Sequence, residues 1–445
     1  MSRPADRLLI DGRSVDGPAV DAACRNDALD GRAHLGIVVR TELAVSLVDA
    51  GAPSDAGGSF RSLRAVSAAV VRDALRGVMP AVVAAPSTWT GYVLVGAVLL
   101  GAALVGCAPA PPTTEETLLV FGSTSTIRIH DPDPARNRAA IGAVAGRLAA
   151  LEQEWHAWKP SALTELNAAL AAGETARVPE QTERLLQRVA PYVKASQGLF
   201  DPTLGGLLDL WGFYTDEFPI VSPEPTAAQL DAWLQTRPSF DDLVSEGHTL
   251  RSTNPAARID LAAVAEGAAA EIVFDELARA GIRHALLAMG GDVATLGDAG
   301  GRPWRVAIRD PIGGADEVLG VATLAGGEAL FVSGNYARFR IGPDGARWPH
   351  ILDPRSGRPA RGVATAVVLG RDPVRADALV TALMVGGVPR FAELLEAFGE
   401  SCALLLTDQN ELLITRGMLD RLELHRQPVL LGRPLELPGD CAGPG

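Results

Sequence analysis

Cysteine is scarce in this sequence, with four in 445 residues. Those at 24, 107, 402 and 441 form no C-x-x-C and no zinc spacing, which excludes a thiolate metal cluster and a dithiol redox motif. Cys402, within SCALLLT, reads as a small buried hydrophobe on a strand, and a disulfide framework is not expected. Positive charge is also short. Forty Lys and Arg face 53 Asp and Glu, leaving a net charge of −13, so no broad basic face is available for nucleic acid. An anion can still be held locally, by backbone N–H groups or through a metal. Histidine is rare as well, at seven, so a histidine beside a rigid turn stands out.

What is there begins with an apolar run, YVLVGAVLLGAALVG at 92–106. It falls short of the ~20 residues a membrane-spanning helix needs and has the length of a signal-peptide core. LVGC at 104–107 resembles the lipobox of bacterial lipoproteins. Lipidation of Cys107 is therefore expected, with acyl chains anchoring the protein to a membrane on its periplasmic or other extracytoplasmic side. Residues 79–107 read as the signal segment and 108–116 as an extended linker. Residues 1–78 carry no motif and read as an extension without assigned structure, or as sequence ahead of a true start further in.

From 117 to 436 the patterning is that of a globular domain, followed by a short tail at 437–445. LLVFGSTSTIRIH (118–130) alternates like a strand, and helices are expected at about 136–154, 181–195, 259–281 and 375–387. Gly281 supplies a helix stop. Strands are expected at 284–292, 304–311, 320–327, 328–334 and 402–408. Strands and helices without strict alternation predict an α+β fold of mixed sheets packed with helices.

Four stretches carry candidate chemistry. In ADALVTAL, Asp377 and Thr381 are four apart and project from one helix face, offering hard oxygen ligands suited to Mg²⁺. MGGD (289–292) and SGNY (333–336) each end a strand in a glycine turn. SQGLFDPTLGGLLDLWGF (196–213) could wall a planar ligand or simply join the core. In WPHILDPRSGRP (348–359), His350 is a possible general base with an unperturbed pKa near ~6.5. Asp353 there either orients the imidazole or caps the turn.

In order along 118–415, FGST, SALTELN, GLFDPTLGGLLDLWGF, DLAAVAEG, GGD, DP, SGNY, HILDPRSG and ADALVTAL resemble the succession of motifs in the ApbE family, the FAD:protein FMN transferases, many of which are lipoproteins. The resemblance implies one compact ApbE-like, T-fold-related catalytic domain. It implies FAD as substrate and a Ser or Thr hydroxyl of a partner flavoprotein as acceptor, with AMP released. It further implies Mg²⁺ held by Asp377, Thr381 and the backbone carbonyl of Ala263. Phe121, Trp158, Leu199, Phe200, Asp201, Asp260, Glu266, Ser333 and Ile351 would line the FAD site, and His350 would deprotonate the acceptor. The chain departs from the family pattern at Glu266, where Lys is common, at Ala162, where Glu is common, and at Asn335, where Asp is usual. Two other readings share these residues: a Mg²⁺-dependent FAD pyrophosphatase and a non-catalytic flavin-binding lipoprotein.

Overall fold

Alternating apolar residues build the centre of the molecule. The computed structural model describes residues 113–441 apart from 219, 315, 344 and 440; the apolar run at 92–106 and Cys107 lie outside the described residues. A nine-stranded sheet takes its strands in chain order: β1 (Thr114–Val120), β2 (Ser123–Ile129), β3 (Ala285–Met289), β4 (Asp292–Leu296), β5 (Ala329–Gly334), β6 (Val363–Gly370), β7 (Ala403–Thr407), β8 (Glu411–Ile414) and β9 (Val429–Leu430). Neighbours are antiparallel except β8 and β9.

Because side chains alternate along a strand, one sequence serves two cores. Ala285, Leu287, Met289, Phe331, Val368 and Leu405 face a helical layer. Leu286, Leu330, Val367, Leu369, Leu404 and Leu406 face a second sheet of Trp304–Arg309, Val318–Leu324 and Leu422–Leu424. The helices are α1 (Pro134–Trp155), α2 (Ala162–Ala171), α3 (Glu180–Ala195), α4 (Gly205–Leu210), α5 (Ala227–Thr236), α6 (Ala262–Arg279) and α7 (Pro373–Phe398). Of these, α4 and α5 pack in a separate cluster with Trp348 and Leu352, and the others form the helical layer. The architecture is the α+β arrangement of mixed sheets and helices that the patterning predicts.

Four details differ from the sequence reading. The stretch 118–130 is a hairpin rather than one strand, since Phe121 (φ 53°) and Gly122 (φ 71°) both turn through the left-handed region. That is the geometry of a two-residue hairpin loop, reached here without the usual Asn-Gly signal. The first strand begins at Thr114, within the expected linker. α7 runs on past Gly387, where φ of 58° and Pro389 kink it. Finally, Cys402 is not a free thiol: it is disulfide-bonded to Cys441, pinning the tail to the start of β7.

α6 and α7 touch backbone to backbone at Gly267. A Cβ there would lie 2.7 Å from the carbonyl oxygen of Pro373 and 2.9 Å from Val374 Cα. Glycine thus lets two helices approach more closely than any side chain permits. α7 is long and apolar enough to cross a membrane, yet it is the central core helix, with most of that apolar window buried. Gly267→Ala should destabilise the fold by ~1–3 kcal/mol, the usual cost of overpacking. Gly142→Ala, on α1 with nothing within 4 Å, should stabilise it by ~0.5–1 kcal/mol. Urea-unfolding midpoints of the two variants check the pair, and equal effects would contradict the close helix contact.

Candidate active site

His350 follows a short hairpin of Phe339–Ile341 paired with Arg347–Pro349. Phe339 pairs with Pro349, so Arg338 and His350 lie opposite each other at its base. The Arg338 carbonyl accepts from the His350 N–H at 3.0 Å and lies 3.1 Å from Nδ1. A carbonyl can only accept, so Nδ1 carries the proton and Nε2 keeps its lone pair. Burial and the nearby Arg338 guanidinium lower the imidazole pKa, to about 4. This corrects the unperturbed value near ~6.5 used above. The ring is neutral throughout the physiological range.

The following turn is held independently of His350. Asp353 accepts from the backbone N–H and guanidinium of Arg355, each at 2.9 Å, and its carbonyl accepts from Gly357 at 2.8 Å. Gly357 has φ 66°, and its carbonyl accepts from Trp211 Nε1 at 2.7 Å. Of the two roles open to Asp353, the structure gives it turn capping.

An aromatic wall stands beside this hairpin. Trp158 stacks on Tyr214 with centroids 5.2 Å apart. Arg338 lies over Trp158 at 5.3 Å, and Arg258 lies over Tyr214 at 4.7 Å. The Tyr214 hydroxyl donates to Asp260 Oδ2 at 2.7 Å, while Asp260 Oδ1 accepts from Ala262 N at 2.8 Å at the start of α6. Burial, reinforced by the Asp260 charge, drives the phenol pKa far upward and keeps it a donor. Backbone N–H groups of Trp158 and Lys159 donate to His156 Nδ1, at 3.3 and 3.0 Å, and fix the tryptophan's chain entry. Phe121 stacks on Trp155 at 6.3 Å, extending the wall toward the first hairpin.

Through Asp260, which bonds both Tyr214 and the first turn of α6, the wall connects to the helix that carries the α6–α7 contact. The Gly267 N–H, whose ordinary acceptor in an α-helix is the carbonyl of Ala263, donates to Asp377 Oδ2 at 2.9 Å. Ala263 is one turn before Gly267 and Thr381 one turn after Asp377, so the three proposed ligands flank a single helix crossing. Asp377 is 6% exposed and Asp292 8%. Burial pushes the Asp377 carboxyl well above its normal range, and the charge of Glu266 pushes it further. Glu266 hydrogen-bonds Asp292, and burial raises both. A bond between two carboxyls requires a proton on one of them. Gly290, at φ 61°, makes room: a Cβ there would sit 2.2 Å from Glu266 Oε1. β4 and β5 pair at only two positions, and beyond them Asp292 Oδ1 accepts the Val332 N–H at 2.7 Å, next to Ser333.

These groups fit a hard divalent cation. A buried carboxylate held up by a neighbouring negative charge is relieved by Mg²⁺, and the donors are oxygens. Among the described residues no three His, Cys, Asp or Glu side chains are arranged to hold a metal. A cation here would therefore take fewer than three such side chains and complete its shell with hydroxyl, carbonyl, water or substrate oxygens.

The remaining candidates are placed differently. Leu199, Phe200 and Ile351 are core side chains. Asp201 is a turn clamp, accepting from Thr203 N and Oγ1 at 2.9 and 2.6 Å and from Phe240 N at 3.0 Å; burial raises its pKa. The Ser333 carbonyl accepts from Thr365 Oγ1 at 2.8 Å. Sequence reasoning missed Arg338, Tyr214, Arg258 and Asp292 as site residues. The signals were the positions two beyond SGNY, one beyond LWGF, two before Asp260 and the last of MGGD.

Residues 121–406 match the sequence profile of the ApbE family. A protein of Rhodobacter capsulatus named FAD:protein FMN transferase is 41% identical over 317 residues, 71% of this chain. The chain spans 59% of that relative's length. A Vibrio cholerae protein of the same name is 32% identical over 241 residues, covering 54% of this chain and 70% of the relative. The solved flavin transferase ApbE from Vibrio cholerae superposes with a TM-score of 0.60 at 27% identity, over 70% of this chain and 100% of that one.

Long-range ¹H–¹⁵N NMR of His350 should show a neutral ring protonated on Nδ1 that begins to titrate only as pH approaches about 4. A midpoint near ~6.5 would contradict the geometry.

Proposed function

The chain belongs to the ApbE family, and from that premise we propose that it is an FAD:protein FMN transferase, passing FMN from FAD to a Ser or Thr hydroxyl of a partner protein and releasing AMP. The observation that carries this reading is the fixed tautomer of His350. Its free Nε2 is a proton acceptor on a rigid hairpin, beside an aromatic wall. A hydroxyl is a weak nucleophile at neutral pH and gains from an adjacent base. His350 takes the hydroxyl proton as the acceptor oxygen bonds to the FMN phosphorus. The pyrophosphate P–O bond breaks, and AMP leaves with the electron pair. An imidazole with so low a pKa is a weak base alone, and the negative charge of a bound pyrophosphate would raise its proton affinity.

Trp158 and Tyr214 form a stacked pair with Arg338 over one ring and Arg258 over the other, so a planar ligand would meet the edge of this assembly. Arg258 is ion-paired with Asp209, which leaves Arg338 to supply positive charge there. Asp377, Thr381 and the Ala263 carbonyl would hold Mg²⁺. When bound, that ion neutralises pyrophosphate charge. Phe121, Asp260, Glu266 and Ser333 would complete the FAD surroundings. Leu199, Phe200 and Ile351 would support it from the core, and Asp201 would brace the turn.

We place the mature protein outside the cytoplasm, anchored through Cys107. The Cys402–Cys441 disulfide supports this location, because such bonds persist in oxidising compartments.

Incubation with FAD, Mg²⁺ and a membrane fraction from a host lacking its own transferase should give a flavin-fluorescent band on a denaturing gel, together with AMP. EDTA should abolish it. His350→Ala should retain FAD binding and label at least ~10²-fold more slowly, the usual worth of a general base. Free FMN and AMP without a labelled band would favour the pyrophosphatase reading. Wild-type labelling by the His350→Ala variant would refute the base assignment.

A further inference from the structure

Resting on the transferase reading above, we propose that Arg338 is a positioning residue that joins the flavin-facing wall to the base, so that one side chain sets both FAD binding and the acceptor step. Its backbone does one half. The Arg338 carbonyl receives both the N–H and the Nδ1 proton of His350, at 3.0 and 3.1 Å, and so decides which imidazole nitrogen is free. Its side chain does the other half. The guanidinium lies over Trp158 at 5.3 Å, and Nη2 donates to the carbonyls of Phe213 and Thr215. Those residues bracket Tyr214, the ring stacked on Trp158. The Phe213 ring meets the His350 ring at 6.3 Å. One residue therefore touches the tryptophan, holds the loop of its stacking partner, and carries the base on its own peptide.

The chemistry of these contacts separates this role from simple stapling. The hydrogen-bond partners of the guanidinium are carbonyls, and the two carboxylates that act on it, Asp216 and Asp260, bond instead to Lys159 and Tyr214. A half-buried cation over an aromatic face attracts negative charge to that face. The charged group facing the imidazole is Arg338 itself, across the hairpin, while Phe213 covers the ring edge. Arg338 thus favours an anionic ligand beside Trp158 and keeps His350 unprotonated before that ligand arrives.

The test uses the full chain as wild type, Arg338→Met and Arg338→Lys. FAD binding is read from quenching of tryptophan fluorescence. Single-turnover labelling of the purified acceptor band identified with wild type is followed across pH. Arg338→Met should bind FAD more weakly by about ten-fold or more, the worth of one charge-assisted contact to an anionic ligand. At saturating FAD it should label about ten-fold or more slowly, as expected for a displaced base. Its acid limb should move to higher pH, because no cation opposes protonation of His350. Arg338→Lys keeps the charge without the two-carbonyl fork, so it should show the wild-type acid limb with slow labelling. If Arg338→Met fails to fold, the Lys variant decides by that combination. Wild-type binding and acid limb in Arg338→Met, or wild-type labelling in Arg338→Lys, would overturn the inference while leaving the transferase reading intact. A wild-type protein that binds FAD but labels nothing would overturn the transferase reading and this inference with it.

Discussion

The hydrogen bond from Gly267 N–H to Asp377 Oδ2 is the contact on which the candidate site depends. It exists because α6 and α7 meet without a side chain between them, at Gly267 against Pro373 and Val374. The same approach dries the region around Asp377, with Ala263 one turn before Gly267 on α6 and Thr381 one turn after Asp377 on α7. The crossing is braced at its end by a polar network. Arg188 reaches both Glu271 on α6 and Asp372, the N-cap of α7, at 2.9 Å each, and the Tyr192 hydroxyl donates to Asp372 at 2.8 Å. A buried carboxylate is expensive unless paired or hydrogen-bonded, so this arrangement is a poor resting place for a lone charge and a good one for a cation's ligand.

Glu266 takes on a different meaning in three dimensions. In the sequence it reads as a departure from the Lys common in the family, a negative charge in place of a positive one. In the fold it hydrogen-bonds Asp292 over the gap left by Gly290, with both carboxyls pushed up by burial. A pair that shares a proton presents roughly one negative charge rather than two. The change from Lys therefore costs less repulsion toward an anionic ligand than the letter suggests. Positive charge arrives instead from Arg338, over Trp158.

Much of the fold was legible because its signals are local. The helix around 136–154, the Ala-rich helix ending before Gly281 and the strand running into Gly290–Gly291 follow from periodicity and glycine punctuation; the partner strand Asp292–Leu296 did not. The 121–122 turn was not, because Phe-Gly is an uncommon hairpin sequence that tertiary stacking on Trp155 stabilises. The Cys402–Cys441 bond joins residues 39 apart, a distance that spacing alone cannot assign. In the site, Asp377, Thr381 and His350 were visible as motifs. Arg338 and Tyr214 were not, since their roles arise from a cross-strand position and a stacking partner more than fifty residues away. Asp353 was ambiguous in the sequence because orienting a histidine and capping a turn use the same carboxylate.

The central proposal is that the buried Asp377 carboxylate would hold a divalent cation. Thermal unfolding of wild type and Asp377→Asn, followed across a Mg²⁺ titration with saturating FAD, tests it most directly. Asparagine keeps an oxygen for Gly267 N–H and removes only the charge. The account predicts a wild-type midpoint that climbs with Mg²⁺, as binding to the native state requires. It predicts an Asp377→Asn midpoint that stays level across the titration, because the charge that draws the cation is gone. Equal Mg²⁺-dependent rises in the two proteins, or no rise in wild type, would contradict it.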